Sequence, residues 1–241
     1  MLSGGGAGVV IGNAALFDGA NSERFTITNH ADLQGSAVSG FWRALWYYKP
    51  AAQTAVSSTL FQCSNQSNTG WDITDTGAIG LDDRIWIRER ATGKLAHVGA
   101  GANLDDWTFF YGHLDSSGNL YAAMYDTDGN LMAEATATAA TFVAEGAAAA
   151  VIGGTNSAGT LTGRIDALCG GDGNLTAGEF ALLLNGGAGV NAATADASVL
   201  AKTLFWFDME EESGDRADSV GSHVATDVNT VGFDTGHTEA P

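Results

Sequence analysis

Short stretches in which apolar and polar residues alternate with a period of two, separated by clusters of Gly, Asn, Asp and Ser, make up most of the chain. The strongest is GFWRALWYYK, residues 40–49. Phe41, Arg43, Leu45 and Tyr47 fall on one face, and Trp42, Ala44, Trp46 and Tyr48 on the other. Aromatic side chains on both faces predict a central strand covered on both sides. Pro50, which cannot donate to a ladder, ends it. Before it, 12–19 and 23–28 read as strands joined by Ala-Asn-Ser, and 30–33 as a helical turn or loop. After it, 59–63 pairs with 70–74 across the polar loop 64–68. Residues 84–90 set Ile85, Ile87 and Glu89 against Arg84, Trp86, Arg88 and Arg90, and 94–98 pairs with them. A hairpin of 106–114 and 118–125 turns over Asp115-Ser116-Ser117 and leads into 131–137.

The stretch 147–189 carries the densest local signals. Residues 149–152 form an apolar strand stopped by Gly153-Gly154. A second strand, 160–169, places Leu161, Gly163, Ile165 and Ala167 on one face and Thr162, Arg164, Asp166 and Leu168 on the other. A Gly-Gly-Asp-Gly-Asn turn follows it. Thr176 and Glu179 then have the spacing of a capping box, in which the hydroxyl takes an orphan helix N–H and the carboxylate reaches back. The short helix buries Phe180, Leu183 and Leu184 and stops at Asn185-Gly186-Gly187, where a left-handed residue is tolerated. Strands in close succession joined by tight turns predict an all-β sandwich.

The order I-G-G … G-R-I-D … N-L-T-x-x-E-F … L-N-G-G-A-G resembles the C-terminal signature of concanavalin A-like jelly rolls of the laminin-G and pentraxin kind. Leu16-Phe17-Asp18-Gly19 with Phe25-Thr26-Ile27 resembles that superfamily's opening strands. The resemblance spans residues 14 to 189. It implies a jelly-roll β-sandwich of two antiparallel sheets with one short helix near residues 177–184. It leaves function open, because the fold hosts lectins, adhesion modules, viral surface proteins and glycosidases. The segment 204–221, beginning Leu204-Phe205-Trp206-Phe207-Asp208, resembles the opening of a laminin-G-like jelly roll yet lies near the C-terminal end. It is too short to bury a core alone. Residues 204–241 are therefore expected to complete the sandwich as a permuted edge segment with Phe205 and Phe207 inward, a truncated repeat being the alternative. The domain reading is a Gly-rich arm over 1–12 and a single jelly-roll domain over 13–241.

Charge narrows the partners. With 28 Asp and Glu against 10 Lys and Arg, the net charge is −18, which repels phosphate backbones and anionic membranes. Nucleic acid is excluded as a direct partner, and no window approaches the roughly 20 apolar residues of a membrane span. No secretory leader is visible, so cytoplasmic synthesis is expected, with the Gly-rich start held by neighbouring subunits. Cys63 and Cys169 read as small buried hydrophobes, and a disulfide would require the fold to bring them together.

Candidate chemistry is sparse. Glycosidases of this fold alternate carboxylates on one strand so that an acid and a nucleophile flank the scissile bond. Here Glu210-Glu211-Glu212 is contiguous, and Asp72 and Asp75 lie in a turn region. Asp126-Thr127-Asp128-Gly129-Asn130 and the run 171–176 imitate calcium loops but have Gly or Leu where ligands belong, so both read as turns. Pentraxin-like relatives place an acidic cluster after the strand matching Val151-Ile152, where this chain has Thr155, Asn156 and Ser157. Asp18 and Asp166 read as structural, a shared Ca2+ between them being the one cofactor reading. Glycan binding needs planar rings beside amides or carboxylates. Trp71, Trp86, Asn65, Asn68 and Asn156 are the candidates, with Trp42 beside them. The reading reached is a non-enzymatic virion surface component, such as a bacteriophage capsid decoration, spike or fibre-associated protein. Its expected partners are copies of itself, the larger particle and a host glycan. The alternatives are a carbohydrate-binding or adhesion module of a bacterial cell surface and a divergent glycoside hydrolase.

Overall fold

Tight turns divide the chain of the computed structural model into short antiparallel strands. The structure describes residues 11–19, 22–36, 38–50, 57–65, 67–76, 84–99, 105–155 and 161–239. In chain order the elements are β1 (Ile11–Asp18), β2 (Arg24–Ile27), α1 (Ala31–Gln34), β3 (Phe41–Tyr48), β4 (Ser57–Ser64), β5 (Gly70–Thr76), β6 (Arg84–Glu89) and β7 (Leu95–Val98). There follow β8 (Trp107–Leu114), β9 (Leu120–Tyr125), β10 (Leu131–Ala137), β11 (Ala150–Ile152), β12 (Thr162–Asp172), α2 (Ala177–Leu184), α3 (Ala197–Leu200), β13 (Phe205–Phe207), β14 (Arg216–Ala217), β15 (Val224–Val228) and β16 (Gly232–Glu239). Of the Gly-rich arm expected over 1–12, residues 11 and 12 belong to β1, and 1–10 lie outside the described residues.

The strands form two antiparallel sheets of eight. The first runs β10-β9-β8-β3-β12-β1-β16, with β13 added beside β12, and the second runs β14-β15-β2-β11-β4-β5-β6-β7. Consecutive β1 and β2 lie in different sheets and do not pair with each other. As predicted, β3 is central and covered on both sides. Phe41, Leu45 and Tyr47 face the opposite sheet among Phe61, Trp71, Ile73, Ile85, Ile87 and Phe110. Trp42, Ala44 and Trp46 face outward, beneath Leu183 and Leu184 of α2, Val199 of α3 and Trp206 of β13.

The alternation expected for the β12 segment fails at Ala167. That residue is left-handed (φ 46°), and the register to β3 shifts between Asp166 and Cys169. The extra residue reverses the faces. Leu168 therefore joins the core between the sheets, and Ala167 and Cys169 lie in the outer cluster. The strand also outruns its predicted end at 169, since Gly170 and Gly171 remain in the ladder as far as Asp172. Glycine is required at 171 because a Cβ there would run into the Lys202 carbonyl. Cys63 lies in the inner core and Cys169 in the outer cluster, and both are free. Burial pushes the Cys63 thiol up to about 12 and the Cys169 thiol well above its ordinary value.

The C-terminal segment supplies edges to both sheets. Phe205 and Phe207 of β13 point into the core while Trp206 points out. β15 pairs with β2 and β16 with β1.

Candidate functional site

The period of two on β6 drives Ile85 and Ile87 into the core, where both are fully buried, and turns Arg84, Trp86 and Arg88 outward. Register adds their neighbours. Trp86 sits between Thr74 of β5 and His97 of β7, and Arg88 between Asp72 and Leu95. Asp72 is fully buried on this outer face. Its carboxylate accepts from Arg88 Nε at 3.4 Å and Nη2 at 3.3 Å, from Arg90 Nε, and from the Thr74 hydroxyl at 3.0 Å. Burial lowers the Arg90 pKa, an effect the neighbouring Asp72 opposes. One carboxylate beneath two guanidiniums leaves positive charge in excess. Of the 10 Lys and Arg residues in the chain, Arg84, Arg88, Arg90 and Lys94 all fall on β6 and the turn that follows it.

Trp86 differs from the other tryptophans. Trp42, Trp46, Trp71 and Trp206 are at most 1% exposed and Trp107 9%, whereas Trp86 is only partly buried. The Arg88 guanidinium lies 5.9 Å from its ring centroid. A flat apolar ring beside guanidiniums can stack on the C–H face of a sugar while the arginines bind hydroxyls or a carboxylate.

The other predicted site residues are placed elsewhere. Trp71 is a correction: it is fully buried, packs on Phe61 and Phe41, and donates its indole N–H to the Gln34 carbonyl at 2.9 Å. Its indole is core, because Trp71 shares the inward parity of Ile73. Trp42 is likewise buried, against Tyr111. Asn65 and Asn68 are exposed in the β4–β5 loop. The Asn65 side-chain carbonyl accepts from the N–H groups of Ser67 (2.9 Å) and Asn68 (3.1 Å), and its amide donates to Asn68 Oδ1. These amides build their own turn. Asn156 lies outside the described residues.

Asp18 and Asp166 are not brought together. Asp18 is exposed at the end of β1 opposite Thr162, and Asp166 is four positions along β12, about 13 Å away at strand rise. The buried Asp166 carboxylate instead accepts the His237 N–H at 2.7 Å. The suspected carboxylate pair Asp72 and Asp75 lies within β5 rather than in a turn, on opposite faces. Asp75 points inward to Lys49 and the Tyr47 hydroxyl. In the loop at 126–130, Asp126 accepts from the N–H groups of Asp128 and Asn130, which closes a turn. The residues missed by sequence reasoning are the outward arginines of β6. Their alternation with Trp86 was visible, but the cross-strand Asp72, Thr74 and His97 were not.

No protein-family profile matches the chain, and no curated protein matches it. Solved structures do. A candidate carbohydrate-binding protein from Bacteroides ovatus superposes with a TM-score of 0.64 at 12% identity, covering 94% of this chain and 60% of that one. The heptameric SAP-like pentraxin of Limulus polyphemus gives 0.52 at 13% identity over 71% of this chain and 81% of its own. The fold is a concanavalin A-like jelly roll. Tailspike protein 2 of an Escherichia coli O157:H7 bacteriophage gives 0.50 at 10% identity, over 66% of this chain and 22% of its own. The jelly roll described here thus spans about 60% of the length of the Bacteroides protein. No helix among the described residues is long and apolar enough to cross a membrane.

Proposed function

We propose that this jelly roll is a non-enzymatic recognition module that binds acidic glycans on the outer face of β5, β6 and β7. The observation that carries the reading is Trp86, the one tryptophan that is not buried, with Arg88 against its ring and Arg84 and Arg90 along the same strand segment, in a chain of net charge −18. Positive charge concentrated on one strand of an acidic protein favours a carboxylated or sulfated sugar over a neutral one. The likeness to the Bacteroides candidate carbohydrate-binding protein and to a phage tailspike supports a module displayed at an exterior surface, with a virion as the favoured setting. In that setting its partners are further copies of the chain and the particle that carries them.

Glycan-array screening followed by calorimetry tests the reading. Sialylated, uronic or sulfated oligosaccharides are expected to bind, more weakly as salt is raised. Trp86→Ala and Arg88→Ala are each expected to weaken binding by about tenfold or more. Binding confined to neutral sugars, or unaltered in Trp86→Ala, overturns the assignment of this face.

A further inference from the structure

We infer that the jelly roll holds a Zn2+-class transition-metal ion where its C-terminal segment meets α1, on His30, Asp32, His223 and Asp218. The site is separate from the β6 face and independent of the glycan reading.

The register of β15 on β2 creates the juxtaposition. Ala225 pairs with Ile27, so His223, two residues earlier, arrives beside the start of α1. There His30 occupies the N-cap position, and its Nδ1 accepts the Asp32 N–H at 3.3 Å. Asp32 Oδ2 lies 3.1 Å from the same nitrogen, and a cation held between the two takes the single Nδ1 lone pair in place of that long backbone bond. The same oxygen lies 3.2 Å from His223 Nε2. The ligand atoms of His30, Asp32 and His223 all lie within 4.8 Å of one another. Two imidazole nitrogens converging on one carboxylate oxygen form the donor set of a borderline-soft cation. Hard Ca2+ prefers all-oxygen shells.

Asp218 points to the ligand independently. Its side chain is fully buried, and Oδ1 is occupied by the N–H groups of Trp206 (2.8 Å), Val220 (3.0 Å) and Gly221 (2.8 Å). Oδ2 has no hydrogen-bond partner and lies 3.8 Å from His223 Nε2. A buried carboxylate oxygen without a donor is costly unless a cation meets it. Metal bonds of about 2.0–2.2 Å in a tetrahedron put ligand atoms about 3.3 Å apart. Three of the separations, 3.1, 3.2 and 3.8 Å, lie near that spacing, so a bound ion requires His30 and Asp218 to close on it by small side-chain shifts. A cleft lined by Thr28, Asn29, His30, Ser222 and His223 gives a path from solvent. Four protein ligands from two distant segments make the ion a structural clasp, fastening the β14–β15 loop to α1.

The test is a Zn2+ titration of the tag-free full chain after treatment with a chelator, read by calorimetry and thermal unfolding, with Co2+ absorption reporting the geometry. One ion per chain with micromolar or tighter affinity is expected, together with a rise in Tm and a four-coordinate Co2+ spectrum. His30→Ser keeps an N-cap oxygen, and Asp218→Asn keeps the Oδ1 acceptor, so both variants are expected to fold. Each is expected to weaken Zn2+ binding by about tenfold or more. No binding at about 1 mM Zn2+, or wild-type affinity in either variant, overturns the site and leaves a hydrogen-bonded histidine cluster.

Discussion

Among the buried cations, Arg43 and Lys49 of the β3 segment are held by different chemistries. Arg43 is fully buried, and its guanidinium lies 4.8 Å from the Phe41 and Trp71 ring centroids and 5.2 Å from that of Phe205. It donates to the carbonyls of Trp42, Gly171 and Leu33, so backbone dipoles and ring faces replace water. Desolvation still lowers its pKa to about 10. Lys49 instead meets a full opposite charge, with Nζ 3.2 Å from Asp75 Oδ2 and both side chains fully buried. Removing one member leaves the other charged in the core without its opposite charge. Lys49→Met is therefore expected to cost about 3–5 kcal/mol in urea denaturation, and a Lys49→Met/Asp75→Leu double variant markedly less. Equal losses in the two would mean that the pair is not what the site depends on.

Among the elements, α2 shows how much a local signal can fix. Thr176 Oγ1 accepts the Glu179 N–H, and Glu179 Oε2 accepts the Thr176 N–H at 2.6 Å. Asn185 closes the helix in the left-handed conformation. Thr176→Ala is expected to cost about 1 kcal/mol. Tertiary structure adds Lys202, whose Nζ lies 2.7 Å from Glu179 Oε2. Chiefly through that bond, and then through Thr176, the Glu179 carboxyl is held down at about 2. A depressed carboxylate stabilises the fold above its ordinary pKa of 4.5, and that contribution is lost as pH falls from there through about 2. Glu179→Gln is thus expected to flatten the acid limb of the stability profile below pH 4.5, read as the urea midpoint against pH. An unchanged limb would refute the coupling. Phe180, predicted to be buried, is only partly so. It rests at the rim of the outer cluster against Tyr111 and Tyr125.

For the molecule as a whole, the closing segment and the charge pattern matter most. β16 covers β1, β15 covers β2, and β13 inserts Phe205 and Phe207 between the sheets. Deleting residues 204–241 would open an edge on each sheet and uncover apolar core. The truncated chain is expected to be aggregated in size-exclusion chromatography and to lack a cooperative thermal transition. A soluble, cooperative 1–203 fragment would show that the segment is dispensable. At this scale the net charge of −18 conceals the local excess of arginine on β6, since a sum over the chain carries no information on placement.

The sequence by itself determined the elements and their faces wherever one physical cause was local. The two-sided burial of β3, the inward Ile85 and Ile87 of β6, the α2 capping box and the all-β sandwich class were all readable, because side-chain period and cap chemistry involve residues near in sequence. Only the tertiary structure decided what pairing over long distances controls. It buried Trp71 and left Trp86 accessible, although each has a strand-like context, because inward and outward parity is set by the partner sheet. It reversed the faces of β12 at Ala167, since a bulge answers to the register of its neighbour. It separated Asp18 from Asp166 and joined Asp32 to His223 across 191 residues of chain. Register and sheet order are sums of many contacts distant in sequence, and no window of residues contains them.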